Sequence, residues 1–200
     1  MLFRSADVRY EPEFEAMTQE IAKLESPSAA SAIDWNKVVQ LSSGILEKRS
    51  KHLQAAYYLH YGLLKTGEVQ GFCLGMAIVR DLLEHFWETL FPPVKRMKGR
   101  KATLEWWEGK LSDFMSDLSP QTLKKDTRDT LMDHLGFIDE FLGAHMDDPP
   151  LLLPLIRKTG DVLMEEAPVE APTPAPRPEP VLTAAPEPRT IQRAESPAPD

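Results

Sequence analysis

Between Trp87 and Trp107 the chain reads WETLFPPVKRMKGRKATLEWW, and this block constrains the fold more than any other stretch. An apolar helical pattern runs into Phe91-Pro92-Pro93. Proline cannot donate to the helical hydrogen-bond ladder, and it pushes the residue before it out of the helical region, so a helix has to end there. A basic, glycine-containing loop follows, and then a second helical pattern opens on two adjacent tryptophans. The block therefore predicts two helices joined by a sharp, aromatic-rich corner.

The rest of the chain to Glu166 carries the same 3.6-residue period. Phe14, Met17, Ile21 and Leu24 form the apolar stripe of a first helix, which Ser26-Pro27 ends. Asp34 reads as the N-cap of a helix carrying Trp35, Val38, Val39, Ile45 and Leu46. Ser50 reads as the cap of the next, and Gly67 as its stop. A fourth helix, Glu68 to Leu90, is apolar around much of its girth (Phe72, Met76, Val79, Leu83 and Phe86 on one stripe, Leu74, Ile78 and Leu82 on another), which predicts a place at the centre of a bundle. A fifth spans Gly99 to Leu118. Ser119-Pro120 and Asp148-Pro149 read as starts of two more. No alternation of period two is present. The fold class is all-α: a single domain of about six to seven antiparallel helices over residues 1–166.

Residues 167–200 differ. They hold ten prolines, no glycine and no aromatic residue. Such a segment cannot offset its ordering entropy by burial, which predicts a disordered, proline-rich tail. The tail has five acids and three bases, leaving about −6 of the chain's −8 on residues 1–166. An acidic balance argues against broad nucleic-acid binding. Cys73 is alone and can form no internal disulfide, which suits a reducing cytoplasm. The start, MLFRSADVRY, lacks an apolar signal region, and no apolar run approaches the ~20 residues that would cross a bilayer.

Catalytic and metal signatures are weak. His52, His60, His85, His134 and His145 form no HExxH pair, and His60 and His134 fall on or near apolar stripes, where a core histidine is the plainer reading. No GxSxG elbow occurs, Ser42-Ser43-Gly44 lies inside a helical pattern, and Cys73 has no basic neighbour in sequence. GEVQGFCLG lacks the lysine and hydroxyl residue of a phosphate loop. Gly71 and Gly75, one turn apart, instead let a neighbouring helix come close. No catalytic residue, cofactor or metal is expected, and an enzyme with an unrecognised pocket stays as a distant alternative.

Two features remain as candidate partner sites. Lys95, Arg96, Lys98, Arg100 and Lys101 are the one electrostatic contrast in an acidic domain, readable as a solvated loop or as a dock for an acidic protein surface. Trp107 shares a stripe with Leu104, Leu111 and Phe114 and belongs to the core. Trp106 points about 100° away, beside Lys110 and Asp113. It is either covered by another part of the chain or exposed as a partner anchor.

The ordered series Asp7-Val8-Arg9-Tyr10, Ile33-Asp34-Trp35, Ser50-Lys51-His52-Leu53, Gly67…Gly71…Gly75 and Trp87-Glu88-Thr89-Leu90-Phe91-Pro92, then Arg100…Trp106, resembles the ImpA N-terminal domain that opens TssA-type proteins of bacterial type VI secretion. The series spans roughly residues 5–118. His52 departs from it, standing where the family usually has aspartate. The resemblance implies structural roles for Asp34, Trp35, Trp87, Pro92 and Trp107. It also implies a non-enzymatic, cytoplasmic assembly factor that contacts baseplate, membrane-complex and sheath or tube proteins, with oligomerisation through a C-terminal region absent from this chain. A truncation or a short paralogue would fit that expectation. A helical adaptor outside secretion is the alternative within the same class.

Overall fold

The computed structural model describes residues 7–25, 32–117 and 124–161, all within Met1–Glu166. The signals at Ser26-Pro27 and Ser119-Pro120, and the whole of 167–200, lie outside the described residues. The described residues form six helices: α1 (Pro12–Ala22), α2 (Trp35–Lys48), α3 (Leu53–Phe86), α4 (Met97–Asp117), α5 (Lys125–His145) and α6 (Leu153–Asp161). Among the described residues there is no strand, and one isolated bridge joins His52 to Phe91. No helix there is long and apolar enough to cross a membrane. The fold is all-α, as the periodicity requires.

Local chemistry explains the first two helices. Pro12 begins α1, where its missing amide is no loss, and Glu13 and Glu15 lie in the first turn, where the helix dipole favours acids. Phe14, Met17 and Ile21 bury their stripe. The Asp34 carboxylate caps α2 by accepting from the Lys37 amide at 2.9 Å. Glu20, only 6% exposed, ties the two together by accepting from Lys23 Nζ (2.6 Å), Lys37 Nζ (3.0 Å) and the Asp34 amide (3.3 Å). The Lys23 bond, helped by Lys37 against the opposing effect of burial, holds its pKa down to about 2.

Helix α3 is the centre, packing against α2, α4 and α5. The expected break between two helices occurs as a sharp reversal inside it, at Glu68 with φ 46° and ψ −124°. Gly67 was the expected stop, yet the left-handed backbone belongs to Glu68, in the geometry of the first central residue of a type II′ turn. The arms 53–67 and 69–86 then run antiparallel and very close. A Cβ on Gly71 would overlap the Leu63 carbonyl, and one on Gly75 would reach within 2.9 Å of the His60 Cα. The close approach inferred from the glycine spacing is thus made by the two arms of one hairpin.

Three boundaries move. His52, not Ser50, caps α3, its Nδ1 accepting from the Gln54 amide at 3.2 Å; the histidine supplies the acceptor that an aspartate would. Helix α3 ends at Phe86, and a 3-10 turn over Trp87–Thr89 precedes Leu90. Asp148 does not begin a helix. It pairs with Lys101, and α6 starts at Leu153.

Candidate functional site

The corner between α3 and α4 is built from the top of the hairpin. Phe91 lies beside the start of α3, its amide donating to the Lys51 carbonyl (2.8 Å) and its carbonyl accepting from the Leu53 amide (2.8 Å). The Phe91-Pro92 bond is cis. A 3-10 turn over Val94–Arg96 then leads into α4.

Arg100 holds this corner from below. It is 1% exposed, and its Nε donates to the Pro92 carbonyl (2.7 Å) while Nη2 donates to those of Trp87 and Leu90 (2.9 Å each). Its guanidinium carbon lies 4.3 Å from the Trp87 ring, a cation–π contact. Carbonyls left without helical partners where α3 ends thus find donors in one rigid fork. Burial pushes the Arg100 pKa down, with Glu88 and Tyr57 opposing, and the guanidinium stays charged. The expectation that Arg100 touches a partner is therefore corrected: its side chain is sealed under the loop.

Lys95, Arg96 and Lys98 are exposed. Lys101 is paired with Asp148 and lies 4.0 Å from Glu105, whereas Lys95, Arg96 and Lys98 form no ion pair among the described residues. Arg100 adds a fourth positive charge whose hydrogen-bond partners are neutral carbonyls.

The tryptophans divide as their spacing requires. Trp107 has no exposure; it stacks on Tyr57 (4.9 Å, 20°), and its Nε1 donates to His60 Nδ1 (2.9 Å). Trp106 takes the covered alternative: it is half-buried, edge-on to Tyr58 (4.9 Å) and Tyr61 (5.7 Å). Trp35 meets the same Tyr61 at 5.2 Å. Trp87, 6% exposed, packs on Phe141 and His145 and joins α5 to the corner. Pro92 is half-buried.

Sequence reasoning missed the turn before α1 as a surface feature. The Asp7 carboxylate accepts from the Arg9 guanidinium through two bonds of 2.9 and 2.7 Å, and this pairing holds the Asp7 pKa down to about 2. Arg9 lies over the Phe91 ring (5.3 Å) and near the Tyr10 ring (5.8 Å), leaving Tyr10 88% exposed. An aspartate two residues before an arginine at a helix entry was the available signal.

Elsewhere the surface offers less. A cleft of 720 Å³ beside α2 is lined by Glu13, Asp34, Lys37, Lys48 and Arg49, and a shallower one of 310 Å³ by Leu46, Leu59, Ile78 and Phe86. His52, His60 and Tyr57, whose proton affinities burial displaces most, line neither. Asp81, Glu84 and His85, all exposed along α3, bring ligand atoms within 4.8 Å of one another.

A family model described as ImpA, N-terminal, type VI secretion system, matches residues 4–109. Among solved structures the chain is similar to the N-terminal domain, including the conserved ImpA_N region, of the TssA component of the type VI secretion system from Burkholderia cenocepacia. The two are 17% identical with a TM-score of 0.50, over 80% of this chain and 79% of that one, a likeness of fold. No curated protein matches the chain.

Proposed function

The chain belongs to the ImpA N-terminal family of the type VI secretion system, and from that premise we propose that it is a non-catalytic docking module of the apparatus. Its basic corner meets an acidic surface of a baseplate, membrane-complex, sheath or tube protein on the cytoplasmic side. The observation that carries this reading is the pairing of Lys95, Arg96 and Lys98, exposed and without ion-pair partners among the described residues, with a loop fixed beneath by Arg100. On a chain of net charge −8 such a patch gives local complementarity that steers one face toward a partner. A loop already fixed in place also loses little freedom on binding.

The full chain should bind one purified apparatus protein with an association rate that falls as salt rises. The triple variant Lys95→Glu, Arg96→Glu, Lys98→Glu should weaken that binding at least tenfold, mainly through slower association. Binding to none of these proteins, or binding indifferent to the triple variant, would overturn the proposal.

A further inference from the structure

Tyr10 is the most exposed large apolar side chain among the described residues, at 88%. Its backbone nonetheless lies in a hydrogen-bonded turn. Val8, two residues earlier, is 1% exposed, and the Glu11 amide closes the turn onto the Val8 carbonyl at 2.9 Å. The Asp7 carboxylate accepts from the Arg9 amide at 3.2 Å as well as from its guanidinium, which favours this placement of the Arg9 side chain. Arg9 in turn lies 5.8 Å from the Tyr10 ring and 5.3 Å from the ring of Phe91. Phe91 is four residues from Lys95, a reach of at most ~14 Å. Tyr10 and the exposed cations therefore share one end of the bundle.

An aromatic ring presented on a hydrogen-bonded turn brings contact area at small entropic cost, and tyrosine is enriched among binding anchors. We infer that Tyr10, buttressed by Arg9, and the loop cations Lys95, Arg96 and Lys98 form one docking surface for an acidic segment of another apparatus protein, which sets an apolar or proline side chain against Tyr10 and carboxylates against the loop. This rests on the docking reading above and adds its anchor. A protein fits better than a nucleic acid or lipid surface. Arg9 is already neutralised by Asp7, three unpaired cations make no basic stripe, and anionic membranes recruit clusters of about four to eight.

The test uses the full chain and whichever purified baseplate, membrane-complex, sheath or tube protein binds it. Tyr10→Ala should weaken binding at least tenfold by faster dissociation, with an unchanged melting temperature because the ring is solvent-exposed. The triple loop variant should act on association. Leu74→Gln is the control: Leu74 is 53% exposed but lies about 18 Å along α3 from Phe86, and its change should leave affinity unaltered. If the loop variant weakens binding while Tyr10→Ala does not, the anchor is wrong and the docking reading stands. If no apparatus protein binds, both fall together. Equal loss with Leu74→Gln would also overturn the inference, as would phosphatidylglycerol vesicles or a 20-base-pair duplex DNA binding as tightly as the protein partner.

Discussion

The indole Nε1–H of Trp107 donates a 2.9 Å hydrogen bond to Nδ1 of His60, and neither side chain has any exposure. Since Nδ1 accepts, the imidazole is neutral with its proton on Nε2. The bond joins α4 to the first arm of the hairpin. Gly75 of the second arm lies against the same histidine, so three helical segments meet at one ring.

Trp107→Ala should therefore cost about 3–5 kcal/mol. Trp107→Phe, which fills most of the space but leaves Nδ1 without a donor, should cost about 1–3 kcal/mol. Trp106→Ala loses the edge contacts with Tyr58 and Tyr61 and part of a half-buried ring's apolar burial, about 1–2 kcal/mol. Urea denaturation measures all three, and Trp106→Ala proving as damaging as Trp107→Ala would contradict this division of roles.

The corner, the Asp34 cap, the core position of Trp107 and the close approach at Gly71 and Gly75 were legible in the sequence, because each follows from backbone chemistry or helical period. The burial of Arg100 was not. The residue stands among four other bases, and charge suggests solvent. Yet Arg100, Leu104, Trp107 and Leu111 share the spacing of one buried stripe. That position was the available signal, and the unpaired carbonyls at the end of α3 supply what makes burial of the guanidinium tolerable. Tyr10 falls on no stripe, and its neighbour Arg9 lies over the ring of Phe91, far off in sequence. The left-handed residue at Glu68 defied the preference for glycine because hairpin closure, a tertiary constraint, sets where the chain turns.

Stability should fall as acid is added below neutrality. Burial lowers His60 from 6.5 to about 3 and His52 to about 4; around His52, Asp7 opposes the shift and Arg9 adds to it. Between these values and 6.5 the unfolded chain binds protons that the native state refuses, so the stabilisation is complete above about pH 6.5 and is lost as pH drops. Each histidine contributes a slope of about 1.4 kcal/mol per pH unit. Glu20 adds to the loss below 4.5, because its native carboxylate stays ionised down to about 2. Urea midpoints at pH 7.5, 5.5 and 4.5 should decline in that order. His52→Asn, which keeps a capping acceptor, should remove about half the slope above pH 4.5. A flat profile would refute the assignment.

The two hairpin glycines should tolerate no side chain. At Gly71 an added methyl meets main chain rather than a flexible side chain, so Gly71→Ala should cost roughly 3 kcal/mol, and Gly75→Ala should displace His60 from Trp107 at similar cost. Gly136, exposed within α5 where an added Cβ would meet nothing within 4 Å outside its own helix backbone, provides the opposite case, and Gly136→Ala should stabilise by about 0.5–1 kcal/mol. Glu68→Gly should gain about 1 kcal/mol by relieving the left-handed backbone. Thermal melts of the four variants should separate into two losses and two gains. Stabilisation by Gly71→Ala would mean the arms are farther apart than described.

Arg100 links stability to docking, and its substitution separates geometry from charge. Arg100→Lys keeps the positive charge but replaces a planar fork, which serves the carbonyls of Pro92, Trp87 and Leu90 at once, by a single ammonium that cannot reach all three. At least one buried carbonyl then loses its donor, at a cost of about 1–3 kcal/mol. Arg100→Met loses all the donors and the cation–π contact with Trp87 and should cost more, about 3–4 kcal/mol. Neither side chain can touch a partner, yet both variants free the loop that presents Lys95, Arg96 and Lys98. Amide exchange over residues 88–96 should accelerate in both. Partner affinity should fall in both as well, with the salt dependence retained in Arg100→Lys, because the charge remains. An Arg100→Lys protein with unchanged stability and unchanged exchange at the corner would show that the fork is not what holds it.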